Sequence, residues 1–241
     1  MYSDADTAAL YDVLNPWDPS DDFYLSHVMA SASVLDVGCG TGTLLHRARE
    51  NGHGGRLCGL DPDPGALARA RVRDDVAWVG GRAEEMTWDR EFELAVMAGN
   101  AFQALVSDSE LRSSLAAIRR ALVPGGRFVF GTRNPFARAW ERWTPDNAAD
   151  VVDHRGRALR VSHRVGSVEG DVVTFSETIA TREGETLRAD RGRLRFLGPE
   201  GVDAFLRGAG LEVEERHGDW WRGPFTAGST DIVTVARAVG G

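Results

Sequence analysis

Residues 34–43 read Val34-Leu35-Asp36-Val37-Gly38-Cys39-Gly40-Thr41-Gly42-Thr43, an apolar run that breaks into alternating glycines. Ser33–Val37 is predicted as a strand, and Leu44, Leu45 and Ala48 share one face of the helix that follows. Glycines at a strand-to-helix turn let the backbone bend sharply and approach a ligand, while the first helical turn offers unpaired N–H groups. The spacing is Gly-x-Gly-x-Gly, not the Gly-x-Gly-x-x-Gly of dinucleotide sites. Asp36, just before the glycines, would sit poorly beside a pyrophosphate and suits a cationic amine or the amides of the turn. Nineteen residues after Gly42 comes Asp61, at the end of a second predicted strand, Arg56–Leu60. An acid there can take both hydroxyls of a ribose.

Outward from this unit, short apolar runs alternate with helical stretches. Gly65–Arg73 is predicted helical, and Val76–Val79 and Glu93–Ala98 are predicted strands. Ser107–Leu122 opens with a Ser107-x-x-Glu110 capping box and repeats Leu111, Leu115, Ile118 and Leu122 at helical spacing. Pro124-Gly125-Gly126 then turns into the strand Arg127–Gly131. Such alternation implies a parallel sheet covered by helices on both sides. After about residue 155 the period changes to two: Ala158–Val165, Asp171–Arg182 and Glu185–Leu197 alternate apolar and polar side chains between glycine-bearing turns. Val173, Phe175 and Ile179 fall on one face, and Thr174, Ser176 and Thr178 on the other. The helix Pro199–Ala209 and the strands Leu211–Glu215 and Asp231–Ala236 restore the earlier rhythm. Residues 1–30 read as two short helices split by the turn Asn15-Pro16-Trp17-Asp18-Pro19-Ser20. The whole is read as one α/β domain over 1–241, with an antiparallel β insertion at about 150–197.

The 241 residues carry 28 basic and 36 acidic side chains, a net charge of −8, which argues against nucleic acid or a membrane surface as the main partner. Every basic residue is arginine. With no lysine, Schiff-base, pyridoxal-anchoring and Walker-type phosphate chemistry are excluded. The two cysteines, Cys39 and Cys58, make no disulfide scaffold and lack metal-ligand spacing, so no metal is expected. No apolar run approaches the length of a membrane span and no export signal precedes the first helix, so a cytoplasmic chain is expected.

VLDVGCGTG at 34–42, GLDPDPGALARAR at 59–71, GRAEEM at 81–86, FELAVMAGNAFQAL at 92–105 and LRSSLAAIRRALVPGGRFVF at 111–130 together resemble the class I S-adenosylmethionine-dependent methyltransferases, as does GPEGVDAFLRGAGLEVEE at 198–215. The resemblance implies a Rossmann-like sheet of seven strands with the last one antiparallel. It divides the chain into an N-terminal helical lid (1–32), a cofactor-binding core (33–135), the β insertion over the acceptor site and a closing helix and strands (198–241). It further implies S-adenosylmethionine as cofactor, with Asp36, Gly38, Cys39, Gly40 and Gly42 at its methionine end and Asp61 with Pro62 at the ribose. Ala83 and Glu84 would border the adenine, and Ala98, Gly99 and Asn100 would flank the sulfonium. Arg82 stands where the family often has an adenine-binding aspartate. The β insertion resembles the small-molecule branch, which includes amino-sugar N-methyltransferases.

The acceptor pocket is expected from Tyr11, Trp17, Tyr24, Phe102, Arg133, Asn134, Trp140, Trp143 and Trp220, and its aromatic character favours an aromatic or indole-type metabolite. Asn100, His154 and His163 are the catalytic candidates. The amide of Asn100 cannot act as a base, whereas imidazole titrates near neutrality. Alignment and exclusion of water can supply much of the rate of an in-line methyl displacement without any base. A monomer or homodimer acting on a small molecule is expected. The rivals are an NAD-dependent dehydrogenase, disfavoured by the glycine spacing, aminopropyl transfer, and a module that binds the cofactor without turnover.

Overall fold

The computed structural model describes residues 4–240, with side chains from Asp6 onward, so residues 1–3 and 241 of the expected lid and closing segment lie outside it. Two helices, α1 (Asp4–Leu14) and α2 (Pro19–Met29), lead into β1 (Ser33–Val37), α3 (Thr43–Glu50), β2 (Arg56–Asp61), α4 (Pro64–Ala70) and β3 (Ala77–Gly80). There follow β4 (Phe92–Met97), α5 (Asp108–Ala121) and β5 (Leu122–Arg133), then four strands, β6 (Ala149–Val152), β7 (Ala158–Glu169), β8 (Val172–Thr181) and β9 (Thr186–Arg195). The chain closes with α6 (Pro199–Gly208), β10 (Leu211–His217) and β11 (Asp231–Ala238).

The main sheet has seven strands in the order β10-β11-β5-β4-β1-β2-β3. β1 to β5 run parallel, and β11 is antiparallel to both its neighbours. Strand order reverses between β1 and β4, which opens a crevice at their carboxyl ends, the usual ligand position in such sheets. Alternation along β1 sends Val34 to one face and Leu35 and Val37 to the other. α2 and α3 cover the first face through Tyr24, Val28, Leu44 and Leu45, all buried. α5 and α6 cover the second through Leu111, Leu115, Ile118 and Leu206. Each such leucine withdrawn from water contributes about 1.5–3 kcal/mol, so both faces are firmly held. Ser107 caps α5 by accepting from the Glu110 amide, while the Glu110 carboxylate accepts from the Ser107 amide.

β6 to β9 form a separate antiparallel sheet in that order. Its fourth strand, β6, was not expected; Ala149–Val152 is four residues long and has no buried position to betray it. The inner face of this sheet carries two apolar patches. Leu159, Val161 and Ile179 pack on Leu10 of α1, and Val173, Leu194 and Phe196 pack on Trp140 and Trp143. β5 is longer than predicted: pairing with β4 begins at Phe92–Leu122 and shifts register before Leu94, so Pro124-Gly125-Gly126 lies within the strand. Among the described residues no helix is long and apolar enough to cross a membrane.

Candidate functional site

The loop from β1 to α3 is pulled over the end of β2. The amides of Gly38 and Cys39 donate to the Leu60 carbonyl at 2.7 and 3.1 Å. Asp61, at the end of β2, accepts from the Gly40 amide at 2.8 Å with one oxygen and from the Asp63 amide at 2.8 Å with the other. This loop requires glycine. At Gly38, φ is +79° and a Cβ would lie 2.7 Å from the Cβ of Ala101. At Gly40, φ is +54° and a Cβ would meet nothing within 4 Å, so the backbone there faces open space.

Two cavities meet above this loop. The first, about 430 Å³, is bordered by Leu60, Asp61, Pro62, Arg82, Ala83, Glu84, Met97 and Leu105. The second, about 400 Å³, is bordered by Asp36, Cys39, Gly99, Thr132, Arg133, Trp17 and Trp220. Tyr11, Gly38, Gly40, Thr41, Ala98 and Asn100 line both and mark the junction. Asp36 is 1% exposed, and its Oδ1 has no hydrogen-bond partner among the described residues. Burial, with the fields of Asp61 and Asp21 added, pushes its carboxyl up to about 7. A buried carboxylate with a free oxygen beside an open glycine backbone is a seat for a cation.

α1 is tied down over the junction. Asp12 accepts from the Thr41 hydroxyl at 2.5 Å and from the Arg69 guanidinium at 2.8 Å, joining α1 to the glycine loop and to α4. At its other end Asp6 pairs with Arg155 at 2.7 Å and His154 at 3.7 Å, joining α1 to the β6–β7 turn. Withdrawal of its hydroxyl from water and the surrounding carboxylates, Asp21 first, raise the Tyr11 phenol above its ordinary range. Among the described residues the second cavity carries Asp12, Asp18, Asp21, Asp36 and Asp231 against a single cation, Arg133. Burial also raises the carboxyl of Asp21, whose side chain accepts from the Asp18 amide.

The structure brings together Asp36, Gly38, Cys39, Gly40, Asp61, Pro62, Ala83, Glu84, Ala98, Gly99 and Asn100, and adds Tyr11, Trp17, Arg133 and Trp220 around the second cavity. Other expected residues lie elsewhere. Gly42 lines neither cavity; a Cβ there would strike Trp78 at 2.5 Å, so it admits that ring beneath the loop. Tyr24 is fully buried in the sheet face, with its hydroxyl donating to the Met97 carbonyl at 3.1 Å. Phe102 stacks on Phe130 at 4.2 Å in the core. Asn134 is also fully buried, its amide donating to the Ser229 carbonyl at 2.7 Å. Trp140 and Trp143 turn away to pack on Phe196 and Phe175.

Neither candidate histidine lines either of these two cavities. His154 is held by Asp6, and His163 pairs with Glu177 directly across β7 and β8 at 3.0 Å. His53 is buried with its Nε2 against the Ser31 carbonyl at 2.7 Å. Cys39 lines the second cavity, but burial raises its thiol far above neutrality, which leaves it unreactive. Sequence reasoning missed Asp12, Asp18, Asp21, Thr132 and Asp231. The signal available was the run of six aspartates without a cation in residues 1–30. Among the described residues no cluster of His, Cys, Asp and Glu could hold a metal.

A methyltransferase-domain family model matches residues 34–126, from β1 into β5. The chain is 30% identical over 205 residues to a dTDP-3-amino-3,4,6-trideoxy-α-D-glucopyranose N,N-dimethyltransferase of Streptomyces venezuelae, covering 82% of each chain. It is 28% identical over 218 residues to a cypemycin N-terminal methyltransferase of a Streptomyces species, covering 84% of this chain and 82% of the relative. In fold it resembles a Clostridium acetobutylicum S-adenosylmethionine-dependent methyltransferase, with a TM-score of 0.76 at 16% identity over 97% and 98% of the two chains. It also resembles the S-adenosylmethionine-bound amino pentose methyltransferase CalS10 of Micromonospora echinaspora, with a TM-score of 0.69 at 24% identity over 96% and 95%. The unpaired Asp36 oxygen and the open Gly40 backbone fit the cationic end of that cofactor. The chain belongs to the class I S-adenosylmethionine-dependent methyltransferases.

Proposed function

We propose that this methyltransferase N-methylates a small amine, held in the second cavity while the cofactor occupies the first cavity and the glycine loop. S-adenosylmethionine, when bound, supplies an electrophilic methyl group on a sulfonium. Asp36 would hold the cofactor's ammonium group, with the Gly38, Cys39 and Gly40 backbone along its methionine chain. Asp61 keeps lone pairs for the ribose hydroxyls on oxygens already fixed by the Gly40 and Asp63 amides. Pro62, Ala83 and Glu84 would border the adenine. Ala98, Gly99 and Asn100, with Tyr11 above them, would flank the reacting centre and exclude water from it.

The observation that carries the amine is the charge of the second cavity: with Asp36 given to the cofactor and Asp12 paired with Arg69, Asp18, Asp21 and Asp231 still face the single arginine among its described lining residues. Such a field draws in an ammonium and repels a simple acid. The amine must lose a proton before its lone pair can attack, and the carboxylates lining this cavity, Asp21 with its burial-raised carboxyl among them, can receive it. No histidine is needed for that step. The similar enzymes named above, which methylate amino sugars or a peptide N-terminus by name, support the same reading. Tyr11, Trp17 and Trp220 leave room for an aromatic amine as well as for an amino sugar.

Two buried free cysteines, Cys39 and Cys58, favour a reducing cytoplasmic setting. One chain supplies the lining of both cavities, so a monomer or homodimer suffices. The test is methyl transfer from radiolabelled S-adenosylmethionine to matched amines, alcohols and thiols. Label entering only the amines supports the reading, and label entering only oxygen or sulfur acceptors overturns it. Release of S-adenosylhomocysteine in the same assay separates an enzyme from a module that binds without turnover.

A further inference from the structure

Among the described residues Arg133 is the one cation lining the second cavity. It is the last residue of β5, and its backbone amide donates to Gln103 Oε1 at 3.1 Å. Gln103, itself 1% exposed, donates to the Arg195 carbonyl at 3.0 Å and so ties this strand end to the end of β9. The Arg133 guanidinium lies 5.4 Å from the ring centre of Trp143. Trp143 in turn packs on Phe175 at 4.9 Å and on Phe196 at 6.0 Å. The backbone of Arg133 is therefore fixed by Gln103, and its side chain is braced by Trp143.

Bracing without pairing separates Arg133 from Arg195 and Arg69. Arg195 is held by Asp108 and Asp171, and Arg69 by Asp12. Arg133 has no ion pair among the described residues. Burial works against its charge, with Asp231 favouring it and Arg142 opposing it, and Asp231 already accepts from the Thr230 hydroxyl at 2.7 Å. A guanidinium stays charged in any protein and presents a planar fork of donors that matches a carboxylate or a phosphate. Held against an aromatic ring, partly withdrawn from water and unpaired, it is preorganised for an anion that arrives with a ligand.

We propose that Arg133 anchors an anionic oxygen group of the acceptor, a carboxylate or a phosphate, so that the acceptor carries an acid as well as an amine. This rests on the amine reading above. Asp18 and Asp21 reach the cavity from the N-terminal side and Arg133 from the end of β5, so a dipolar acceptor is held in one direction. The amine then points to the carboxylates and the acid to the fork. An acceptor with an amine alone keeps the first contact and loses the orientation.

The experiment uses the full chain saturated with S-adenosylhomocysteine and pairs of probes that differ only in the acid: tryptophan with tryptamine, and glucosamine 6-phosphate with glucosamine. Binding is read by calorimetry, and KM and kcat are read with S-adenosylmethionine. The expected result is that, within at least one pair, the acid-bearing member binds about tenfold or more tightly. Which pair responds tells carboxylate from phosphate. Arg133→Gln collapses that ratio toward one through KM, while Arg133→Lys restores part of it. S-adenosylhomocysteine affinity in both variants reports that the fold is intact. Equal binding within both pairs, or a loss in Arg133→Gln that strikes both members alike, overturns the proposal.

A second measurement does not depend on the choice of acceptor: phenylglyoxal labelling of Arg133, followed by mass spectrometry, with inorganic phosphate or acetate as protectant. Protection of Arg133 supports the site. No protection, together with no binding of any acid-bearing probe, overturns it. Labelling that goes to alcohols or thiols in the transfer assay, with Arg133 still protected by anions, brings down the amine reading alone.

Discussion

The cavity beside Asp61 and the cavity beside Arg133 share the residues at their junction but are built in different ways. The first is walled chiefly by the ends of β1, β2 and β4 and the short helical turn Ala83–Glu85. Its key carboxylate, Asp61, is fixed by two backbone amides within its own βαβ unit. The second gathers Tyr11 to Asp21 from the N-terminal helices, Gln103, Thr132 and Arg133, then Trp220 and Asp231. Those segments lie far apart in the chain and are brought together by the fold. A site held by backbone within one supersecondary unit tolerates change around it, whereas a site assembled from side chains of distant segments can be retuned residue by residue. The first geometry suits a constant cofactor, and the second suits a variable acceptor.

The sharpest way to break this contrast is at Asp36, which lines the second cavity just before the shared glycine loop. Replacing it with asparagine keeps the shape and removes the charge. Loss of a charged hydrogen bond should weaken S-adenosylmethionine binding about 10- to 150-fold by calorimetry. The same change should raise the stability of the cofactor-free protein at pH 8 by ~1–3 kcal/mol, because a buried unpaired carboxylate is gone. The wild type should show the pH signature of a raised carboxyl. The folded protein holds the Asp36 proton more tightly than the unfolded chain. That contribution to stability is present below about pH 4 and is lost as pH rises through about 7. Cofactor affinity runs the other way, increasing from pH 5.5 to pH 8, and Asp36→Asn should flatten that dependence.

Gly38→Ala comes next. It forces a side chain into a left-handed conformation with its Cβ 2.7 Å from Ala101. A cost of ~1–3 kcal/mol in denaturant unfolding and a roughly tenfold weaker cofactor are expected; unchanged binding would mean that the loop has freedom the backbone ties deny. Asp12→Ala should act more gently. It removes the ties from α1 to Thr41 and Arg69, of which the Arg69 pair is partly exposed, so KM for the cofactor should rise a few-fold with stability changed by less than ~1 kcal/mol. Asn134→Ala marks the far end of the scale. Its buried hydrogen bond supports the chain rather than the cavity, so stability should fall by ~1–3 kcal/mol, with KM for both substrates unchanged.

What could be read from the chain follows the same division. The glycine loop, Asp61 and the alternation of strands and helices were legible because their signals are local, with a periodicity or a spacing within about thirty residues. The antiparallel sheet was legible from its period of two, but β6 was not, since all four of its residues lack full burial. Tryptophans were the misleading signal at the acceptor. Trp140 and Trp143 are consumed in packing against Phe196 and Phe175, while Asp21, which reads as an ordinary helix-capping residue, lines the cavity. Arg195 likewise follows Arg188, Arg191 and Arg193 in sequence, yet it is mostly buried between Asp108 and Asp171. Partners far apart in the chain decide these roles, and periodicity carries no trace of them.

The central claim is that one buried, unpaired carboxylate at the end of β1 seats the cofactor's cation beside an acidic acceptor cavity. Calorimetric titration of S-adenosylmethionine into the wild type and Asp36→Asn at pH 6 and pH 8 tests it most directly. The account predicts one site per chain, tighter at pH 8, with the variant weakened at least tenfold and indifferent to pH. Equal affinity in the two proteins, or a pH dependence that survives the substitution, would contradict it.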